Sequence, residues 1–399
     1  MVELAGRMKF ALVSHVLPPS CSGQAVVIYR ILQAIDPNCY CLISRQNYDC
    51  GDYQGGISSR LSAHYHYLPP ELRLRGRRFG LFGANSWLQT LQRARRIARI
   101  VKHERARAIV ACSGDPYDLP AGYLASRWVK VGYYPYIFDD YLYQWVAPQL
   151  RSFAQRFETT LLKWADGIIV PNEFLQDDYR RRHGVEPVVI YNPCGESGPE
   201  PESKVSWPTD QGEIKVVYTG AVYHAHYDAF QNLLAAIQQI GRPEIKLHLY
   251  TEQLPRDLER ENICGPVVYH PQLALSQIVE VQGRADILFL PLAFDSPIPE
   301  VIKTSAPGKM GEYMASGRPI LVHAPGNSFL SWYFKKHGCG LVVDRNEPLE
   351  LSRAVQRIID DPALRRELRE KALRCAKTDF SLTAARAKFM KLFEPKVEG

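Results

Sequence analysis

Short apolar runs and amphipathic stretches alternate along most of this chain. KFALVSH (9–15), CYCLIS (39–44), RAIVAC (107–112) and KVGYYPYIFDD (130–140) are nearly continuous apolar segments, the pattern of strands buried on both faces of a sheet. Between them, apolar residues recur at helical spacing from about Ala25 to Ala34, from Trp87 onward and from Pro148 to Trp164. A strand over 167–170, a helix capped by Asn172 and a strand over 187–191 follow, whereas the Gly- and Tyr-rich remainder of 36–70 carries no assignable element.

A second alternating set starts at Ile214. It predicts strands at IKVVYTG, EIKLHLY, VVYH, DILFLP, PILVH and GLVV, with helices over 229–240, 275–284 and 328–336 and another from Lys309. Helices over 348–360, 362–378 and 380–393 complete the chain. Strands alternating with helices predict parallel, doubly wound sheets. The Gly-, Pro-, Ser- and acid-rich segment 195–212 between the two sets has the composition of a linker, so the expectation is two α/β domains.

The length of 399 residues agrees, since it exceeds one comfortable core. No apolar run approaches the roughly 20 residues that span a bilayer, and the N-terminus has no signal-peptide pattern, so a cytoplasmic location is expected. Nine cysteines without a CxxC pair suit reduced thiols, and neither metal nor cofactor is expected. Charge is uneven: residues 71–107 hold eleven Arg/Lys against two acids. From Trp87, the residues Leu91, Ala94, Ala98 and Val101 form one helical face, with Arg93, Arg96 and Arg99 opposite. Two readings stay open for that face, an ordinary solvated one and attraction to an anionic membrane surface or a lipid-linked acceptor. Nucleic acid is disfavoured, because no aromatic-interleaved or helix-turn-helix pattern accompanies the charge.

The densest chemistry lies at PLAFDSPIPEVIKTSAPGKMGEYMASGRPILVH (291–323). Ser305, Ala306, Pro307 and Gly308 form a loop entering a helix, where free N–H groups and the positive end of the dipole suit phosphate. Lys309 adds a charge at that entrance, and Glu312 lies one turn on; the alternative is a surface cation and an ordinary first-turn acid. His224 and His226 alternate in a loop without a cysteine or carboxylate partner, a poor metal pair. Gly338-Cys339-Gly340 is a lone GxG before a strand, which disfavours a dinucleotide site, and no P-loop, GxSxG or HExxH occurs.

The run PGKMGEYMASGRPIL resembles the donor-binding signature of the retaining family 4 glycosyltransferases of GT-B fold. That resemblance implies two Rossmann-like domains facing across a cleft: residues 1–194 on the acceptor side, with 380–399 packing back on them, and 213–379 binding a nucleotide-sugar. It also implies sugar transfer from a UDP- or GDP-sugar to a glycan or lipid-linked acceptor, with retention, without metal, in cell-surface polysaccharide or glycolipid synthesis. Glu312 would hold the ribose and Lys309 the leaving diphosphate. Thr304 stands where the family has a second glutamate. Gly220 and Ala221 match the diphosphate-contacting turn, but Tyr223, His224, His226 and Tyr227 stand where the family adds a cation. His270 begins the loop matching the base-holding one, Gly23 the first acceptor-side loop. Asp139 is the candidate acceptor- or sugar-facing acid, with capping as its alternative, and Phe138 replaces the family's preceding histidine. Thr304, Phe138 and the missing cation keep open a second reading, a GT-B protein that binds a nucleotide or a partner without turnover; a GT-B nucleotide-sugar epimerase is a third.

Overall fold

The apolar strands of the first half lie side by side in one parallel sheet. The computed structural model describes residues 8–48, 60–72, 81–195, 207–208 and 212–394. Most of the expected linker at 195–212 and the arginines at 73, 75, 77 and 78 fall outside the described residues. The chain divides into two units, Met1–Tyr191 with Thr383–Gly399, and Asn192–Leu382.

In the first unit the strands are β1 (Phe10–Val13), β2 (Tyr40–Ser44), β3 (His64–Tyr67), β4 (Ala108–Cys112), β5 (Gly132–Tyr136), β6 (Ile169–Val170) and β7 (Val188–Val189). They run parallel in the order β3-β2-β1-β4-β5-β6-β7. The helices are α1 (Gly23–Leu32), α2 (Leu81–His103), α3 (Asp118–Val129), α4 (Pro148–Lys163) and α5 (Glu173–His183). Alternate strand residues divide between two cores: Ala11, Val13, Cys41 and Ile43 pack with α2 on one face, and Phe10, Leu12, Tyr40 and Leu42 on the other. Burial on both faces is why these strands read as unbroken apolar runs. β3 went unpredicted because HYHY is polar and half-exposed at the sheet edge.

The second unit has β8 (Ile214–Thr219), β9 (Ile245–Tyr250), β10 (Val267–His270), β11 (Ile287–Pro291), β12 (Ile320–His323) and β13 (Leu341–Val343), parallel and ordered β10-β9-β8-β11-β12-β13. Its helices are α6 (Tyr227–Ile240), α7 (Pro255–Arg260), α8 (Leu275–Gly283), α9 (Pro299–Thr304), α10 (Lys309–Ala315), α11 (Phe329–His337), α12 (Pro348–Asp360) and α13 (Pro362–Thr378). The six-residue helices α7 and α9 were missed, being too short to show a period; each begins at a proline, which suits the first helical turn. The last helix, α14 (Leu382–Lys391), leads to Phe389 and Phe393, whose rings lie 5.6 and 4.9 Å from that of Phe10 on β1.

Candidate functional site

Strand order reverses once in each sheet, between β1 and β4 and between β8 and β11. Loops beyond the carboxyl ends of such strands diverge and leave a crevice for ligand. In the second unit the loop after β8 opens with Gly220, whose φ of 121° lies where side chains are strained. A Cβ there would also stand 3.2 Å from Lys309 Nζ, so only glycine lets the turn lie against that cation.

Lys309 opens α10 and reaches back over β8. Its Nζ donates to the Tyr218 hydroxyl at 2.8 Å and sits 4.3 Å from the centre of that ring. The Tyr218 hydroxyl donates onward to Ala221 O at 2.7 Å. Burial between these groups lowers the ammonium pKa, against the opposing influence of Tyr313 and Glu312. Glu312 is oriented by Gln282, whose Nε2 donates to Glu312 Oε2 at 3.2 Å and to Thr219 Oγ1 at 3.1 Å. The Asn192 amide donates to Ala306 O at 3.0 Å and fixes the loop that carries Ser305 and Gly308, both half-buried. Lys309, Gly220, Ala221, Glu312 and the 305–308 loop therefore share one stretch of the sheet's carboxyl edge.

Thr304 precedes that loop. It is buried at the end of α9, and its hydroxyl donates at 3.2 Å to Glu300 O, inside its own helix. His226 is also buried, with no hydrogen-bond partner at Nδ1. Burial above all, and then Lys309 and His224, push its pKa well below the ordinary value, so it adds no charge at neutral pH. His270 ends β10, its ring stacked 4.2 Å from that of Tyr250 and its Nε2 3.0 Å from His248 Nδ1. That places it on the same edge, at the far side of β9.

At the corresponding edge of the first unit, Asp139 is exposed beyond β5, while Asp140 is buried between Arg182 and the backbone N–H of Leu142 and Tyr143. The predicted strand thus stops at Tyr136, and only one of the two acids is open to a ligand. Gly23 is the exposed first residue of α1, which Ser22 caps through Ala25 N at 3.2 Å. After β1 comes His15, whose ring occupies the space a Gly114 side chain would need.

The basic face of α2 is not the one expected. Arg93 is fully buried, with Glu71 at 2.9 Å and Asp115 and Asp118 each at 2.5 Å. Arg96 is half-buried and donates to Pro69 O. Arg99 is exposed, as are Arg95 and Lys102, while Trp87, placed by the pattern on the apolar face, is 39% exposed. The helix packs against acidic loops as well as the sheet, so helical spacing alone misassigned its faces. Tyr218 and Gln282, which orient Lys309 and Glu312, escaped sequence reading. Tyr218 and Thr219 were visible only as strand residues, and Gln282 as a polar residue in a helix.

Residues 213–361 match the family described as "Glycosyl transferases group 1", and residues 57–194 match "Glycosyltransferase Family 4". Among solved structures, sucrose-phosphate synthase from Thermosynechococcus elongatus superposes with a TM-score of 0.70 at 17% identity, covering 97% of this chain and 98% of that one. Anabaena HepE in complex with UDP and glucose gives 0.66 at 14%, covering 96% and 98%. WaaG, a glycosyltransferase involved in lipopolysaccharide biosynthesis, gives 0.65 at 14%, covering 98% and 100%. No curated protein matches the chain in sequence. The structural likenesses concern the fold: two Rossmann-like halves with parallel sheets of seven and six strands.

Proposed function

The chain belongs to the group 1 and family 4 glycosyltransferases of GT-B fold, and from that premise we propose that it moves a sugar from a UDP- or GDP-sugar to a glycan or lipid-linked acceptor, with retention. The observation that carries this reading is Lys309 Nζ, held 2.8 Å from the Tyr218 hydroxyl beside the glycine turn at Gly220. A cation fixed against a turn that only glycine can make is matched to a diphosphate that becomes more negative as it leaves. Preorganised charge aimed at such a group stabilises the transition state more than the ground state. Glu312, aimed by Gln282, is an acceptor for ribose hydroxyls, and His270 with the 305–308 loop completes the donor side. HepE, solved with UDP-glucose, supports a nucleotide-sugar as donor.

Lys309 is the main charge of this proposed site, because the neighbouring imidazole of His226 is neutral. Electrostatic stabilisation without a metal follows from that reading. Asp139, exposed beyond β5, is the proposed acceptor- or sugar-facing group of the first unit. Arg95, Arg99 and Lys102 are the surface through which a peripheral membrane position and a lipid-linked acceptor would be recognised.

The test is a screen of UDP- and GDP-sugars for thermal stabilisation and slow donor hydrolysis, followed by transfer to glycan and lipid-linked acceptors. Stabilisation with hydrolysis by one nucleotide series is expected. Binding without turnover, or conversion of the sugar itself, overturns transfer from these donors.

A further inference from the structure

At the outer edge of the first sheet, where β2 and β3 meet the end of α2, three ligating side chains converge that the proposed transfer does not use. Cys41 on β2 and His66 on β3 face α2, and Glu104 follows the last residue of that helix. A sulfur, an imidazole nitrogen and a carboxylate oxygen from these residues all lie within 4.8 Å of one another. His66 Nε2 is 2.8 Å and His64 Nδ1 3.2 Å from Glu104 Oε1, Lys9 Nζ is 2.6 Å from Oε2, and His103 Nδ1 is 3.9 Å from Oε1. Cys41 is buried, while His66 and Lys9 remain about a quarter exposed and leave a way in.

We propose that Cys41, His66 and Glu104 bind one divalent ion of borderline softness, Zn²⁺ in kind, with His64 or water as the fourth ligand. A thiolate and an imidazole select such an ion over Mg²⁺ or Ca²⁺, which take oxygen ligands. The carboxylate and thiolate together balance its two charges. Lys9, His66 and His64 already gather on the Glu104 carboxylate, so that a cation is accommodated where an ammonium now lies. Binding forms the sulfur–metal bond as the S–H proton of Cys41 leaves to solvent, and Lys9 swings off the carboxylate. The ion would tie the edge strands to the end of α2. Sequence spacing hides the set, because its members come from three separate elements rather than one short motif.

The experiment is titration of the chelator-treated full chain with Co²⁺, read by the thiolate-to-metal charge-transfer and ligand-field bands. One equivalent bound in a tetrahedral thiolate site is expected, with affinity rising roughly tenfold per pH unit as the single thiol proton is displaced. Lys9→Gln should tighten binding, because a competing ammonium is removed. Cys41→Ala and His66→Gln should abolish it. Absence of one-equivalent binding overturns the proposal, as do bands that persist in folded Cys41→Ala. If Cys41→Ala does not fold, His66→Gln, at a partly exposed ring, decides the matter: unchanged affinity overturns the site, and lost affinity supports it.

Discussion

The two sheets reverse strand order in the same way, yet their carboxyl edges treat charge differently. In the second unit the charged groups are held by neutral partners: Lys309 by Tyr218 and Glu312 by Gln282. In the first unit they neutralise one another, Arg93 among Glu71, Asp115 and Asp118, and Arg182 between Asp140 and Glu158. A cation held by a phenol keeps its charge for a ligand, whereas one enclosed by carboxylates has none left to give. Who the partners are, rather than how many charges an edge carries, therefore decides whether it presents a charge or closes into a structural clamp.

The contrast predicts opposite phenotypes for two cations. Arg93→Met leaves three acids around an empty centre, and breaking such a buried network costs about 3–5 kcal/mol of stability. A urea midpoint within error of the parent would contradict the clamp. The same cluster sets a pH dependence. Burial first, with Asp115 and Glu71 reinforcing it and Arg93 opposing, raises Asp118 from 3.8 to about 7. The folded chain then holds a proton that the unfolded chain has lost between those values, so stability falls as pH rises through that window. Asp118→Asn should flatten that fall, leaving the share of Asp140, which is likewise raised to about 7. Urea midpoints across the window are the check, and an unchanged slope would remove Asp118 from it.

At Lys309 the loss should appear in turnover. On the proposed reading Lys309→Ala removes a charge aimed at a departing diphosphate, which would cost about 3 kcal/mol in the transition state, on the order of a hundredfold in kcat. Its unfolding midpoint should stay near the parent's, because the loss is confined to contacts with Tyr218, one hydrogen bond to its hydroxyl and the approach to its ring. Activity within a factor of two of the parent would take Lys309 out of the mechanism. Glu312→Gln ranks next. Loss of a charged acceptor for ribose weakens free UDP or GDP by about 1.5 kcal/mol, roughly tenfold in Kd. An unchanged Kd, measured calorimetrically, would return Glu312 to a first-turn acid of α10.

These sites were unequally legible in the sequence, for physical reasons. The sheets were readable because strands buried on both faces must be apolar throughout, as FALV and ILFLP are. Lys309 and Glu312 were legible as neighbours because they sit on one helix, where spacing fixes their proximity, whereas Gly220, on the loop after β8, meets Lys309 only through the fold. The hydrogen bond of Thr304 to Glu300 O within α9 was not legible, because spacing does not reveal which way a hydroxyl turns. Arg93 was misread because its three acids lie 22 and 25 residues away, two in loops and Asp118 at the start of α3, so nothing local marks that helical face as interior.

The smallest effect concerns the outer surface of α2, where correcting the helix face changes what should be mutated. Arg93 cannot meet an anionic bilayer, and Arg96 is engaged with Pro69 O, which leaves Arg99 as the one member of the expected trio that is exposed. A basic residue near such a surface contributes about 1 kcal/mol, and salt screens it within a Debye length. Arg99→Gln should therefore weaken sedimentation with anionic vesicles about fivefold at low salt and by less at physiological salt. Unfolding midpoint and donor affinity should not move, because the side chain belongs to neither the clamp nor the donor edge. Arg93→Gln supplies the contrast: it should lower stability while leaving the vesicle affinity of the folded fraction unchanged. If the parent protein ignores anionic vesicles at low salt, the exposed cations of α2 are an ordinary solvated face, and a soluble glycan becomes the acceptor to pursue.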